Sequence, residues 1–401
     1  MRKIATLAGV VSLTAAMLVV VLAGSSGADT FNVASEADYR AALVSAGASA
    51  TGPHTLNITA DFSVNAAGGD PTYNNGVAAD QNLIINGNGH TVSAAVAGVR
   101  FLFFNPTTTS LTVNDLTVQG FDTGDGAAIQ SFGDVFLNRC TFRNNHSSGN
   151  GGAIDLPASV NDIAVNDCTF DNNVAEDDQG GAINGGEGIT VTNSTFVRNL
   201  AMFSSAEGGA LYSDSGPVTV TNSTFTSNTS EGTPTDGGAA ISNPSGTTTL
   251  SYVTLSGNTS PADTLSLDDA TMFGVVIVNT LGGGVNCTIN GTLTSLGYNY
   301  SSDASCAFAG TGDTNSGAAN PGLGALASNG GPTQTMLPAT GSPLIDKIPS
   351  ASPCAGINIP EDQRHLPRPS DGNNDGVLAC DIGAVEVQAI PAVAVVPRFT
   401  G

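Results

Sequence analysis

The stretch DGNNDG, Asp371 to Gly376, sets oxygen ligands two residues apart: Asp371, Asn373 and Asp375, with Gly376 next. That order opens a calcium loop of the EF-hand kind, where alternate side chains converge on a hard cation and glycine makes the turn. Position 12 of such a loop is a bidentate Glu; here it is Ile382, with Asp381 one place earlier as the substitute. A polar turn ahead of Cys380 accounts for the same letters and is the first reading. Calcium is its rival, and no other cofactor is expected.

Three further kinds of chemistry can be weighed. A polysaccharide hydrolase needs two or three carboxylates on one face. Asp155, Asp177, Asp178, Glu207 and Asp214 are available near turns, but nothing in the sequence fixes their separations. A lyase needs a basic residue to take the sugar proton. Arg139, Arg143 and Arg198 are the basic residues of the central region, and they form no clear row; Lys347 lies outside it. His54, His90, His146 and His365 are scattered and give no metal cluster. No catalytic residue is therefore assigned.

These side chains must be positioned by something, and the sequence repeats. Phe142, Phe170, Phe196 and Phe225 recur at steps of 28, 26 and 29. Asn145, Asn173, Asn199 and Asn228 each follow three residues later, and GGA motifs start at Gly151, Gly180, Gly208 and Gly237. A worn copy follows at Leu255 and Asn258, and another precedes at Val118 and Gly126. A period of this size marks stacked supersecondary units. Between the markers lie short Val/Ile/Thr runs such as ITVTNSTF from Ile189, bounded by Gly, Asn and Asp. Those are strands and turns. The fold class expected is all-β: a right-handed parallel β-helix, in which Phe stacks on Phe and each Asn amide bonds the next. One coil cannot bury enough apolar surface to fold alone, so its neighbours must cover it.

A solenoid end is an open sheet edge and must be capped. SEADYRAALVSA, from Ser35 to Ala46, reads as the capping helix, with Ser35 as N-cap and Ala41, Ala42 and Leu43 facing the first coil. After about Ser260 the phase fades into Gly/Pro/Ser/Asn-rich sequence. An irregular module stapled by cysteines is expected there, against the C-terminal end of the helix. Cys287 with Cys306 and Cys354 with Cys380 are the expected bridges. Cys140 and Cys168 lie 28 apart, each two before its Phe. They are either a disulfide between adjacent coils or two buried thiols.

Arg2 and Lys3, the apolar run to Ala23, and Ser26-Gly27-Ala28 read as a secretory signal peptide cut after Ala28. Without it the chain keeps 9 basic and 34 acidic residues, a formal charge of −25. Such a field repels nucleic acid and anionic membranes. No later run is long and apolar enough to span a bilayer as a helix. The absence of Trp removes the best sugar-stacking side chain.

The F-x-x-N and GGA[ILV] repeats, Phe142–Asn145 to Phe225–Asn228 and Gly151–Ile154 to Gly237–Ala239, resemble those of polymorphic outer-membrane proteins and related β-helix surface proteins. The later run NGGPTQTMLPATGSPLID, then DQRHLPRP and CDIGAVE, is similar to the choice-of-anchor Q domain. Such domains follow a β-helix and precede a variable attachment signal. LPATG at Leu337 to Gly341 matches a sortase pattern but lacks the apolar stretch and basic tail that must follow, and reads as a turn.

The organisation expected is a signal peptide over 1–28, the β-helix and its cap over 29–280, the choice-of-anchor Q-like module over 281–387 and a tail over 388–401. The resemblance implies an exported, surface-associated protein of a kind mostly without established activity, and a non-catalytic monomer, extracellular or at the cell surface, is expected. Its role would be structural or adhesive, with a glycan or surface protein as partner. The alternative is an extracellular polysaccharide lyase or glycoside hydrolase.

Overall fold

The computed structural model describes residues 29–389, apart from 50–51, 75–80, 158–160, 177–178, 204, 236, 352–353 and 355. The expected signal peptide, most of the expected tail, and Asp177 and Asp178 fall outside the described residues.

The chain winds as a parallel β-helix. Its strands line up in sheets of eighteen, ten and five, and every strand pair in these three is parallel; a two-stranded antiparallel sheet joins Ile348–Pro349 to Ala379–Cys380. One coil shows the plan: Ile183–Gly185, Gly188–Thr192, Thr195–Val197 and Leu200–Ala201 in succession. Left-handed residues make its corners, Asn193 (φ 53°) and Arg198 (φ 57°), and Gly208 (φ 65°) starts the next turn. Between corners, alternate Val, Ile and Phe side chains enter the bore, and Thr and Asn face out.

Strand register turns the recurring letters into columns. Phe142, Phe170, Phe196 and Phe225 are direct partners, continued by Val118 above and Leu255 and Ile277 below. The four rings stack with centroids 5.1, 4.8 and 4.7 Å apart, inclined by no more than 9°. Beside them Asn145, Asn173, Asn199, Asn228 and Asn258 form a buried amide ladder, each Nδ2 donating to the next Oδ1 at 2.9–3.0 Å. The left-handed residue is not the ladder Asn but the one before it: Asn144, Asn172, Arg198, Ser227 and Gly257.

The glycine column needs one adjustment of phase. Ile154, Ile183, Leu211 and Ile241 are in register, so the equivalent of Gly180-Gly181 and Gly208-Gly209 is Gly238-Ala239, one residue past the GGA at Gly237. The second glycine is required by close approach. A Cβ on Gly152, Gly181 or Gly209 would lie 2.1–2.3 Å from the carbonyl oxygen of its counterpart one coil below. Ala239 ends that series.

The capping helix is Glu36–Ala48, with the Ser35 side chain accepting from the Asp38 N–H. Tyr39, Ala42, Leu43 and Ala46 are its buried face, while Ala41 is exposed, contrary to expectation. The spacing of three, four and seven residues from Tyr39 chooses that stripe. Strand pairing continues past residue 280 through Val285–Ile289 and Leu293–Gly297 to Tyr300–Ser301. The Cys287–Cys306 disulfide, Cα atoms 4.9 Å apart, then ties the following loop to that last coil. Asn286 and Cys287 donate their N–H groups to Asp303 and Ser305 side chains, which covers the strand edge.

The C-terminal module does more than sit at this end, where it was expected. It runs back along the outer face of the ten-stranded sheet. Thr195 Oγ1 donates to Gln334 O at 2.6 Å, Thr224 Oγ1 to Gln363 Oε1 at 2.6 Å, and Ala384 N to Thr254 Oγ1 at 3.0 Å. Inside the module, Arg364 clamps Asp362 and Arg368 meets Glu386 at 3.0 Å. Arg368 also lies over the Tyr252 ring at 4.0 Å. A second disulfide, Cys354–Cys380, closes it.

Candidate functional site

The side-chain oxygens considered for calcium accept backbone hydrogen bonds within their own loop. Asp371 and Asn373 accept from backbone N–H groups of their own loop, Asp375 and Gly376, and Asp375 accepts from Val377. Asp381 is fully buried, accepting from Asp346 N and Val387 N at 2.7 and 2.6 Å, and the Asp346 carboxylate in turn accepts from the loop N–H groups of Gly372 and Asn373. Among the described residues, no group of three His, Cys, Asp or Glu side chains could hold a metal ion. The loop carboxylates turn the chain.

The cysteines of the repeat are free and buried. Cys140 donates its backbone N–H to Cys168 Sγ at 3.2 Å, Cys168 donates to Ser194 Oγ at 3.0 Å, and Ser194 to Ser223 Oγ at 3.1 Å. The thiol of Cys168 thus stands where later coils carry a serine hydroxyl. The arginines are paired on the outside, Arg139 with Asp115, Arg143 with Gln119 and Arg198 with Asp171. His90 meets Asp61, His146 lies between Asp122 and Glu176, and His365 joins Glu361 to Asp167 across the module boundary.

What the fold does gather is a lateral cleft of about 360 Å³. Each GGA[ILV] motif makes a glycine corner, sends its apolar residue into the bore, and turns the following side chain away from it, where Gln130 and Asn184 are half-buried and Asp155, Tyr212 and Ser242 buried. Those following residues are Gln130, Asp155, Asn184, Tyr212 and Ser242, in register one per coil, with Phe103 above Gln130. Asp155, Asn184 and Tyr212 line the cleft. Asp125, Asn150 and Gln179, which precede successive glycine corners, line it on one side; Leu156, Pro157, Gly185, Gly186, Asp214 and Ser215 line it on the other.

Asp155 is the electrostatic centre. One carboxylate oxygen accepts from Asn184 Nδ2 at 2.7 Å and the other from Gln130 Nε2 at 3.1 Å. Burial pushes its carboxyl up to about 6, against the pull of those two amides. Tyr212 Oη donates to Asp214 at 3.4 Å. Arg100 is the cation close by, but its guanidinium is engaged by Asp70 and by the carbonyls of Asp125 and Gly126. Among the described residues, no Lys or Arg lines the cleft.

Of the carboxylates considered for hydrolysis, Asp155 and Asp214 share this cleft, while Glu207 accepts from Ser242 one coil further on. Gln130, Asn184 and Tyr212 were not singled out from sequence. Their signal was position, the residue after each motif, rather than identity.

Residues 139–156 and 167–186 match the Chlamydia polymorphic membrane protein repeat. This is a parallel β-helix repeat protein. The two matched stretches of the β-helix carry Phe142 and Phe170, Asn145 and Asn173, and also Asp155 and Asn184. No curated protein matches the chain. Among the described residues, no helix is long and apolar enough to cross a membrane.

Proposed function

We propose that the chain is an exported, non-catalytic β-helix protein of the cell surface or its surroundings, with a structural and adhesive role, and that the lateral cleft is where it binds a glycan or surface protein. The observation carrying this reading is the outward column Gln130, Asp155, Asn184 and Tyr212, set in register on a rigid floor. Its support comes from the repeat likeness, from disulfides suited to an oxidising compartment, and from the likeness of residues 281–387 to a module that precedes an attachment signal. The lyase and hydrolase readings draw little from the site. The arginines are paired away from the cleft, and both Asp155 oxygens are already engaged.

The test is adhesion of the purified full chain to immobilised cell envelopes and host surfaces, comparing wild type with Asn184→Ala and Gln130→Ala. Both variants should fold, by circular dichroism and melting, and lose adhesion. Folded variants that adhere as well as wild type would refute the cleft as the binding site. Release of reducing or unsaturated sugar ends from a polysaccharide panel would refute the non-catalytic reading.

A further inference from the structure

The cleft also constrains what fits it, granted the adhesive reading above. The geometry points to a neutral, linear glycan lying along the helix axis, with one sugar unit facing each coil.

Three observations converge on that ligand. The first is pitch. Gln130, Asp155, Asn184 and Tyr212 are direct strand partners, so they recur at the ~4.8 Å spacing of paired strands. That spacing is close to the advance of one pyranose unit in an extended β-linked chain. An extended peptide advances differently and would bring its own backbone groups, for which this column offers side chains rather than an open strand edge.

The second is the kind of group presented. The column supplies an amide, a carboxylate, an amide and a phenol, which between them donate to and accept from vicinal hydroxyls. The Asp155 carboxylate is already oriented by the amides on either side, so a sugar meets a preset array rather than ordering one. At the upper end Phe103, half-buried and in register with Gln130, packs edge-on against Phe132 with centroids 5.8 Å apart and planes at 79°. Arg100 lies over one face of that ring, 5.7 Å from its centroid, and the other face can cover the apolar CH face of a terminal sugar.

The third is charge. Asp125, Asp155 and Asp214 line the cleft and no cation does. Arg100, the nearest, is consumed by Asp70 and two carbonyls. The whole chain carries −23. A uronate or sulfated glycan would meet like charge offset only by Arg100, itself already held by Asp70 and two carbonyls, and among the described residues there is no metal cluster to bridge the two.

The experiment is calorimetric titration of the full chain at pH 7 with neutral β-linked oligosaccharides of two to six units (cello-, xylo- and manno-oligosaccharides) and with oligogalacturonates. Each series is run in EDTA and again with calcium. The adhesion assay runs in parallel. Binding is expected for at least one neutral series, tightening with each added unit up to about three, the number of in-register side chains that line the cleft (Asp155, Asn184 and Tyr212), and then levelling. Asn184→Ala and Gln130→Ala should each weaken it at least tenfold, while Arg143→Ala, on another sheet, should leave it unchanged.

Oligogalacturonate binding as tight as the neutral series would overturn the inference, as would affinity independent of length. If no neutral oligosaccharide binds but adhesion persists and is lost in Asn184→Ala, the glycan inference falls and the adhesive cleft stands with a protein ligand. If the glycan binds and Asn184→Ala abolishes that binding without touching adhesion, the glycan inference stands and the adhesive role of the cleft falls.

Discussion

Replacing Asn199 with alanine should cost the β-helix about 3–5 kcal/mol, and the figure can be built from its contacts. Asn199 is fully buried in the middle of the amide ladder. Its Nδ2 donates to Asn228 Oδ1 at 2.9 Å and to Phe170 O at 3.0 Å, and its Oδ1 accepts from the Asn173 side chain at 2.9 Å and the Asn173 backbone N–H at 3.1 Å. Alanine removes all four. The Asn173 side chain keeps Phe142 O, and Asn228 Oδ1 keeps the backbone N–H of residue 199. The buried Asn173 N–H keeps nothing, a loss of about 1–3 kcal/mol, and the remaining bonds add roughly 0.5–1 kcal/mol each. Asn199→Asp should be at least as damaging, because it sets carboxylate oxygen against two acceptors and buries a charge. Asn258, the last rung, donates only to Phe225 O, so Asn258→Ala should cost about 1 kcal/mol less. Urea unfolding followed by circular dichroism measures all three. A loss below about 1 kcal/mol for Asn199→Ala would refute the ladder as a source of stability. So would a harmless Asn199→Gly, since glycine would serve if backbone conformation were what the position required.

Cys168→Ser should be nearly neutral, because Ser194 and Ser223 already do the same work one and two coils below, whereas Cys168→Ala should cost about 1–3 kcal/mol by orphaning the Cys140 N–H; urea midpoints decide. Gly181→Ala, whose new methyl would sit 2.1 Å from the Gly209 carbonyl oxygen, should destabilise by about 3 kcal/mol or more, seen as a lowered melting temperature. Folding stability should fall as pH rises from about 4 to about 7. Burial raises the carboxyls of Asp155 and Asp263 from 3.8 to about 6, so in that window the folded state holds protons that the unfolded chain has released. Each contributes up to about 3 kcal/mol. Urea titrations at pH 4.5 and 7.5 measure it; Asp155→Asn should flatten the slope only in part, because burial raises Asp381 to about 6 and Glu386 to about 8 as well, and a stability that instead rises across the window would contradict the assignment.

The architecture was legible because stacking forces like residues into like places. Phe142 to Phe225 and Asn145 to Asn228 recur since each must meet its own kind, and a spacing in the chain becomes a column in space. The cleft was not legible for the converse reason. The position after each GGA[ILV] motif changes identity at every coil, from Gln130 to Asp155, Asn184, Tyr212 and Ser242, so a search for repeated letters passes over it. The reading of Asp371, Asn373 and Asp375 stays divided between calcium and a polar turn because a sequence shows which oxygens are near in the chain but not which backbone N–H groups they turn toward, here those of Asp375, Gly376 and Val377. The GGA at Gly237 misled by one residue because two adjacent glycines look alike until Ile241 fixes the register. The placement of the C-terminal module depends on Gln363 reaching Thr195 and Thr224, a contact across more than a hundred residues that no local pattern records.

That contact also governs how such a rod can lengthen over generations. A duplicated coil spliced in ahead of Asp167 would push the cap outward and leave every seat of the module where it was. One spliced in between Thr195 and Thr254 would part the anchor points of Gln334, Gln363 and Ala384, because the module has a fixed reach. Growth of the array is therefore free at one end and locked at the other. An artificial chain with residues 141–168 doubled should melt like the parent, and one with residues 197–224 doubled should shed its clasp and become open to protease.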